Sequence, residues 1–417
     1  MKPAEWTTAK LGNHCEVFSG YPFKSNGFTD NPDDIALVKG ENVGQGEILW
    51  GISKRWPREE VAELERFKLI PGDVVLAMDR PWIPAGLKFA RIPESAPDAL
   101  LVQRVARLRA TDGLEQAFLP FVIGSPDFVA YVQNVGRGVG VPHISGREIG
   151  SFAFKLPPKR VQIHIADVLS AYDELMENNR RRMGLLEEAA RLLYREWFVR
   201  LRFPGHEHTR ITNGVPVGWR KVTLGSITTK IGSGATPRGG DAAYQSEGIT
   251  LIRSLNVYDD RFDDDGLAFI SDEQAAALSN VTVEARDILL NITGASVCRC
   301  CMAPERYLPA RVNQHVMIIR ADPSKADPFL VHVAINSDER KRQLLSYAQK
   351  GSTREALTKE MVSNFEITLP SDSLMQQFGE IAGDAFRQRE NLAQQNQKLR
   401  TARDLLLPRL ICGEITV

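Results

Sequence analysis

Three cysteines crowd into one short segment and are the first candidates for chemistry. Cys298, Cys300 and Cys301 are followed by His315, and cysteine and histidine are the ligands that zinc prefers in proteins. A structural zinc site needs four such ligands, commonly in two closely spaced pairs, whereas the two other cysteines lie far away in the sequence. We therefore expect small buried side chains on a strand and no metal site.

The common catalytic motifs are missing from the sequence. It contains no phosphate-binding Gly-x-x-x-x-Gly-Lys loop, no dinucleotide-binding fingerprint and no Gly-x-Ser-x-Gly nucleophile elbow. The Asn-Pro-Pro-Tyr type of sequence, which amino-methyltransferases use against a flipped base, is missing too. We expect no catalytic residues on this chain.

Polar and glycine-rich segments recur at matching places in the two halves of the chain. Lysine and arginine pair with guanine edges and asparagine with adenine, while hydroxyls and loop amides suit phosphates. These segments therefore predict contacts to DNA. The candidate DNA-binding residues are Gly20, Lys24, Lys39, Asn42, Arg80, Arg137 and His143 in the first half, and Gly234, Arg238, Arg253, Asn256, Thr293, Ser352, Thr353 and Arg354 in the second.

The two halves match when one is shifted by about 213 residues. Trp6 to Gly12 corresponds to Trp219 to Gly225, and Leu37 to Val43 corresponds to Leu251 to Val257. The chain is therefore two copies of one unit. Each copy begins with a part rich in Gly, Pro and short β-branched runs, which predicts a mixed α/β globular domain.

The second part of each copy predicts a long helix with a narrow apolar seam, in steps that alternate between 4 and 3 residues. The seams are Val161, Ile165, Val168, Tyr172, Leu175, Met183, Leu186, Ala190, Leu193 and Trp197, and then Leu374, Phe378, Ile381, Ala385, Leu392, Leu399, Ala402 and Leu406. A helix of about 40 residues is about 60 Å long. Asn179, Gln388 and Gln395 are polar seam residues that either fix the register or face solvent or another subunit.

The predicted fold class is α/β in the sense of mixed α+β. Two tandem globular domains are separated by two long helices that pack as an antiparallel coiled coil, with pseudo-two-fold symmetry between the copies. The predicted segments are domain one at 1–157, spacer helix one at 158–203, a linker at 204–218, domain two at 219–370, spacer helix two at 371–412 and a tail at 413–417.

Composition and charge limit the class of protein. Of the 417 residues, 43% are hydrophobic, which is close to the globular average and excludes disorder for most of the chain. The sequence contains no signal-peptide pattern and no apolar run long enough to cross a membrane, so we expect a cytoplasmic protein. Formal net charge is zero, and residues 1–208 are themselves balanced. No basic domain therefore supplies generic affinity for DNA.

Over its whole length the sequence resembles the specificity subunits of type I restriction-modification systems. The motifs that carry this resemblance are the tandem repeat, Pro216-Val217-Gly218-Trp219 with Leu224-Gly225, Val312-Asn313-Gln314-His315-Val316, Lys350-Gly351-Ser352-Thr353, the Leu-Pro that closes each domain, and Leu406-Leu407-Pro408-Arg409-Leu410-Ile411-Cys412-Gly413-Glu414-Ile415. The first domain departs from this pattern. It has Leu101-Val102-Gln103-Arg104 at the matching place, and residues 136–146 lack the Gly-Ser-Thr sequence.

The resemblance implies two target-recognition domains that each read one half of a split, asymmetric site in double-stranded DNA. It also implies helices that space the half-sites and dock two modification (methyltransferase) subunits, with two restriction (nuclease/translocase) subunits completing the complex. That complex uses S-adenosylmethionine for DNA methylation, and ATP with Mg2+ for translocation and cleavage. This chain alone is expected to bind none of these cofactors and to be non-catalytic.

Two other classes of protein stay open at this point. A coiled-coil scaffold whose domains bind protein, without DNA specificity, accounts for the zero charge and the seams but not for the matched cation loops. An enzyme with a cysteine or zinc centre is disfavoured by the cysteine spacing.

Overall fold

The structure, a computed structural model, describes residues 6–135, 142–212, 214–349 and 355–415. Its chain forms two compact units. The first consists of Met1–Glu177 together with Asn396–Val417, and the second consists of Asn178–Gln395. Each unit therefore contains one globular domain and a part of each of the two long helices.

The first unit is built on two small sheets. Its strands are β1 (Thr7–Lys10), β2 (Cys15–Ser19), β3 (Ile35–Val38), β4 (Gln45–Gly46), β5 (Arg55–Trp56), β6 (Lys68–Leu69), β7 (Val74–Ala77), β8 (Trp82–Ile83), β9 (Gly86–Leu87), β10 (Phe89–Arg91), β11 (Ala99–Leu101), β12 (Val105–Ala110) and β13 (Ala153–Leu156). One sheet has the order β2-β12-β7-β10-β4 and the other β5-β3-β11-β6, while β1 pairs with β13 and β8 with β9. The helices are α1 (Leu119–Ile123), α2 (Pro126–Val135), α3 (Gly146–Ser151) and the start of α4 (Lys159–Tyr194).

The second unit also has two main sheets. Its strands are β14 (Ile211–Thr212), β15 (Val215–Pro216), β16 (Arg220–Thr223), β17 (Thr228–Ser233), β18 (Ile249–Ile252), β19 (Ala268–Ile270), β20 (Thr282–Val283), β21 (Ile288–Asn291), β22 (Cys300–Met302), β23 (Ala310–Val312), β24 (Val316–Ala321) and β25 (Glu366–Leu369). The sheets have the orders β17-β24-β21-β22 and β19-β18-β23-β20, with the pairs β14-β15 and β16-β25. The helices are α5 (Asp272–Ala277), α6 (Pro328–Asn336), α7 (Asp338–Gln349), α8 (Lys359–Ser363) and most of α9 (Asp372–Ile411).

The two units share one strand order. The run β2-β12-β7-β10 corresponds to β17-β24-β21-β22, and β3-β11-β6 corresponds to β18-β23-β20. In both units the pairing of β3 with β11, or of β18 with β23, is parallel, whereas most of the other pairs are antiparallel. The internal repeat in the sequence is therefore also a repeat of the fold.

The strand β7 is apolar throughout because both of its faces are covered. Val74 and Leu76 belong to one hydrophobic core, and Val75 and Ala77 belong to another. Successive side chains of a strand point to opposite faces, so a strand between two cores has no polar face. The same holds for β21, where Leu289 enters a different core from its two neighbours.

Parts of the two long helices pack against each other within the first unit. Arg403 Nη1 lies 2.6 Å from Asp173 Oδ1, and Asn396 Nδ2 donates to the backbone oxygen of Met176 at 3.0 Å. Because residue numbers rise along one helix as they fall along the other, the two segments run antiparallel.

The second unit contains a matching pair of antiparallel segments. Arg389 Nη1 lies 3.0 Å from Glu187 Oε1. Further along, the ring of Phe378 lies 6.2 Å from that of Tyr194 and 5.2 Å from that of Phe198. After Tyr194, α4 continues as one π-helical turn over Arg195–Val199.

The buried face of these helices differs from the predicted seam at several positions. Leu175 is 46% exposed and Ile381 is 51% exposed, whereas Leu169, Met176 and Ala382, outside the predicted seam, are buried. The ends of both helices pack onto a globular domain as well as onto a helix, so their buried stripe is wider than a two-helix seam. Of the polar seam residues, Asn179 is buried, while Gln388 and Gln395 are exposed.

Every helix in the described part of the chain falls short of the length and apolar content that a membrane-spanning helix requires.

Candidate nucleic-acid interface

Gly20 and Gly234 follow equivalent strands and lie directly against the backbone of a neighbouring strand. A Cβ atom at Gly20 would lie 2.6 Å from Leu101 O, and one at Gly234 would lie 2.6 Å from Asn313 O. The backbone N–H groups of both glycines already form hydrogen bonds within the protein. Gly20 donates to Val105 O and Gly234 donates to Asn313 O, both at 3.2 Å. The prediction that these amides bind phosphate is therefore corrected: the glycines recur because only glycine fits.

Asn42 and Asn256 are fully buried and organise the loops that contain them. Asn42 Oδ1 accepts from the backbone N–H of Lys39 at 3.0 Å, and Asn42 Nδ2 donates to Leu49 O and Ser53 Oγ. Asn256 repeats the pattern, with Oδ1 accepting from Arg253 N–H at 3.0 Å and Nδ2 donating to two carbonyl groups. Neither amide presents a free edge to adenine. Their predicted role as DNA contacts is corrected to that of loop anchors.

Lys39 and Arg253, the cations of the same motif, are half-buried and held by neighbours. The ammonium of Lys39 pairs with Glu41 and lies 5.3 Å from the centre of the Phe28 ring. The guanidinium of Arg253 lies 5.0 Å from the centre of the Tyr244 ring and donates to the carbonyl of Gly266. Stacking on a ring orients each cation and limits its freedom.

Lys24 and Arg238, which end the two Gly/Pro loops, are exposed. Within the described ranges neither side chain pairs with a carboxylate. Their charges are open to a ligand with phosphate groups.

A cluster at the carboxyl end of β7, the strand-end cluster, brings three segments of the first unit together. Asp79 Oδ1 lies 2.6 Å from His143 Nδ1, and Asp79 Oδ2 lies 3.7 Å from Arg104 Nε. Arg80 is exposed, its backbone has a left-handed φ of +46°, and its amide donates to Pro142 O at 2.7 Å. A non-glycine residue held in this conformation marks a site where the fold over-determines the backbone.

The second unit has the same cluster at the carboxyl end of β21, built from different side chains. Thr293 occupies the place of Asp79, and its Oγ1 lies 2.6 Å from His315 Nδ1. Its backbone pairs with Ala356, just as that of Asp79 pairs with His143. Arg104 and His315 therefore occupy equivalent positions, one residue before β12 and β24.

Arg104 and His315 are not among the residues predicted from the sequence to contact DNA. A signal was present, since each ends a matching Val-Gln-Arg or Asn-Gln-His segment just before a strand. The predicted residues Arg137, Ser352, Thr353 and Arg354 lie outside the described residues.

Lys88 connects two of the candidate loops in the first unit. Its ammonium donates to the carbonyl of Gly40, in the loop between Lys39 and Asn42. Burial lowers the pKa of Lys88; the carboxylate of Glu41 opposes this effect and the charge of Arg80 adds to it. The loops after β3 and β7 therefore meet around one cation.

The cysteine cluster is part of the hydrophobic cores. Cys300 and Cys301 are buried on β22, where burial raises the pKa of the Cys301 thiol to about 12, and His315 pairs with Thr293 instead. Among the described residues, one carboxylate group, Asp263–265, has ligand atoms within 4.8 Å of one another. Two of these carboxylates pair with neighbouring cations of the chain, so the group is a network of ion pairs.

Both units are similar in sequence to known DNA specificity proteins. Residues 216–400 match the type I restriction modification DNA specificity domain. The chain is 32% identical over 176 residues to the type I restriction enzyme EcoAI specificity subunit of Escherichia coli, a match that covers 42% of this chain but only 29% of that subunit. It is 23% identical to the MjaIX specificity subunit of Methanocaldococcus jannaschii, over 100% of this chain and 94% of that subunit.

A solved structure has the same fold. The S subunit of a type I restriction-modification system from M. genitalium superposes with a TM-score of 0.58 over 97% of this chain and 96% of that one, at 13% identity. The predicted fold class is thereby confirmed.

Proposed function

We propose that this chain is a member of the type I restriction modification DNA specificity family, and that it reads an asymmetric two-part DNA site with one globular domain on each half. The observation that carries this proposal is the strand-end cluster. It recurs at the same place in both units, with Asp79 and Arg104 in one and Thr293 and His315 in the other. Equivalent positions with different donors and acceptors are what two related domains need to read different base pairs.

Each domain makes two kinds of contact with DNA, one to phosphates and one to base edges. The exposed cations Lys24, Arg80 and Arg238 contact phosphates and set the register of each domain on the duplex. The donors and acceptors at the centre of each cluster, among them His143 and His315, reach base edges. Lys39 and Arg253, already oriented by aromatic rings, support the same loops.

The partners are double-stranded DNA, two modification subunits and two restriction subunits. A chain with zero net charge holds DNA weakly, because non-specific binding depends on phosphate neutralisation by surplus cations. The modification subunits therefore supply much of the affinity for DNA. Docking sites for them include exposed leucines of the long helices, such as Leu185 at 70% exposure and, seven residues later, Leu192.

The cofactors belong to the partners. Methylation requires S-adenosylmethionine, and translocation with cleavage requires ATP and Mg2+, but in this proposal the specificity chain itself binds none of them. Its contribution is to place the methyltransferase on the correct base.

The long helices act as a ruler between the half-sites. We expect that seven residues added to α4 and seven to α9, in register, lengthen the spacer by about three base pairs, because a heptad rises about 10.5 Å and a base pair about 3.4 Å. Sequencing of methylated sites in cells measures the spacer. An unchanged spacer, with both half-sites intact, would contradict the ruler.

The division of labour between the domains is tested in the assembled complex. We expect His143→Ala to weaken or relax only the half-site of the first domain, and His315→Ala only that of the second. A lost base contact changes the affinity for that half-site about tenfold or more. Methylation-site sequencing and binding to a duplex with the wild-type motif measure both effects, with Lys155→Ala, an exposed lysine on β13, as the control.

Two results would count against the proposal. One is a complex in which either substitution alters both half-sites equally. The other is a wild-type complex that methylates without sequence preference, which would favour a protein-binding scaffold.

A further inference from the structure

A hairpin in the second unit contains one aromatic ring that two guanidinium groups contact. The carbon of the Arg261 guanidinium lies 4.8 Å from the centre of the Tyr258 ring, and that of Arg299 lies 4.6 Å from it. The hairpin is closed by pairing of Val257 with Phe262, and Tyr258 N–H donates to Arg261 O at 2.9 Å. We refer to Tyr258, Arg261 and Arg299 as the arginine–tyrosine sandwich.

Arg299 occupies the same place in the second unit as Lys88 in the first. Asn291 N–H donates to Arg299 O at 2.8 Å, and at the equivalent place Ala77 N–H donates to Lys88 O at 2.9 Å. Both cations reach the loop that follows β3 or β18, Lys88 through a carbonyl group and Arg299 through a ring. The fold therefore keeps a cation opposite the last residue of β7 and of β21.

The charge of Arg299 is not neutralised by a carboxylate of the described residues. In the part of the chain that the structure describes, it forms no ion pair. The nearby carboxylate of Asp259 is paired with Lys341. Arg261 has one weak partner, Asp263 at 3.4 Å, and its own side chain is 61% exposed. The sandwich therefore presents positive charge.

The base of the hairpin is fixed by a buried network. Asp260 is 5% exposed and has a left-handed φ of +56°. Its Oδ1 accepts from Asn336 Nδ2 at 2.8 Å, and its Oδ2 lies 3.5 Å from Arg191 Nη1 on α4. A fixed hairpin and a stacked guanidinium lose little conformational freedom on binding, which favours selective recognition.

We infer that Arg299 is a specificity-determining residue of the second domain, that it reads a guanine edge through its guanidinium, and that Tyr258 orients it. Arg261, the more exposed cation beside the same ring, contacts a phosphate. A planar guanidinium matches the O6 and N7 acceptors of guanine in the major groove. This inference rests on the proposed function and adds the residues that act within one half-site.

The test uses the complete complex with its modification subunits and a duplex that contains the wild-type methylation motif. We expect Arg299→Ala to reduce discrimination at one base pair of the second half-site about tenfold or more, and to leave the first half-site unchanged. Tyr258→Leu, which keeps the bulk but removes the ring face, is expected to have a smaller effect at the same base pair. Lys325→Ala, at the far end of β24, is the matched loss of charge.

The salt dependence of binding separates a base contact from a phosphate contact. Loss of a base contact leaves the slope of log affinity against log salt concentration close to wild type. Loss of a phosphate contact lowers the magnitude of that slope by about one. A slope lowered by Arg299→Ala, with discrimination intact, would overturn the assignment to a base. A lowered slope in Arg261→Ala is the result expected for its phosphate contact.

The outcomes also separate this inference from the proposed function. Full discrimination at every base pair of the second half-site in Arg299→Ala overturns the inference and leaves the two-domain reading intact. Retained methylation through the first half-site reports that the variant complex is folded and assembled. A wild-type complex without sequence preference would defeat the proposed function itself.

Discussion

Gly234→Ala is expected to destabilise the second unit. The added methyl group would overlap the carbonyl of Val312 and lie 2.6 Å from Asn313 O, and both are backbone atoms that cannot rotate away. Overpacking of this kind costs about 3 kcal/mol of folding free energy. Here Gly234, the residue that must move, also donates its N–H to two carbonyl groups. For a unit of this size the midpoint of thermal unfolding should fall by about 6–12 °C.

Gly232→Ala is the matched control on the same strand. A Cβ at Gly232 meets no atom within 4 Å, so this substitution should shift the midpoint by far less. Hydrogen exchange resolves the effect by unit, because the amides of β17, β21 and β24 should lose protection in Gly234→Ala while those of the first unit keep it. Equal stability of the two variants would show that the close approach of these strands is not a constraint.

The recurrence of these glycines was evident in the sequence, but its cause was not. Two copies with glycine at one position predict a shared requirement, and phosphate binding and close backbone packing are both such requirements. The same applies to Asn42 and Asn256. Their side chains recur because each closes its own loop, and the partner atoms that they bind are backbone groups, which leave no pattern in a sequence.

The repeat and the mixed α/β domains could be predicted because they depend on patterns that survive divergence. The apolar runs of β7 and β21 predicted buried strands. Details that depend on tertiary neighbours could not be predicted. Leu175 and Ile381 fit a coiled-coil seam but are exposed, because a globular domain turns the buried face of each helix away from that seam. The sandwich around Tyr258 joins side chains that are about 40 residues apart, a distance at which no local period relates them.

One buried ion pair recurs in both units, and the repeat in the sequence is enough to suggest that it has a structural role. Asp287 is fully buried and accepts two hydrogen bonds from the Arg320 guanidinium, at 2.7 Å and 2.8 Å. In the first unit, Asp73 and Arg109 make the same bidentate contact, at 2.6 Å and 2.9 Å. The hydrogen bond that Arg320 donates to Asp287 is the main cause that raises the pKa of Arg320, so the charged pair is favoured.

Asp287→Ala is expected to destabilise the second unit by about 3–5 kcal/mol, because it leaves a partly buried arginine without its buried counter-charge. It also removes the acceptor for Glu284 N–H, which bonds to Asp287 Oδ2 at 2.7 Å. The control is Glu284→Ala. That carboxylate pairs with the same Arg320 but is 59% exposed, so its loss should cost less than about 1 kcal/mol. Denaturant unfolding followed by hydrogen exchange measures both costs, and similar values for the two variants would contradict the structural role of the buried pair.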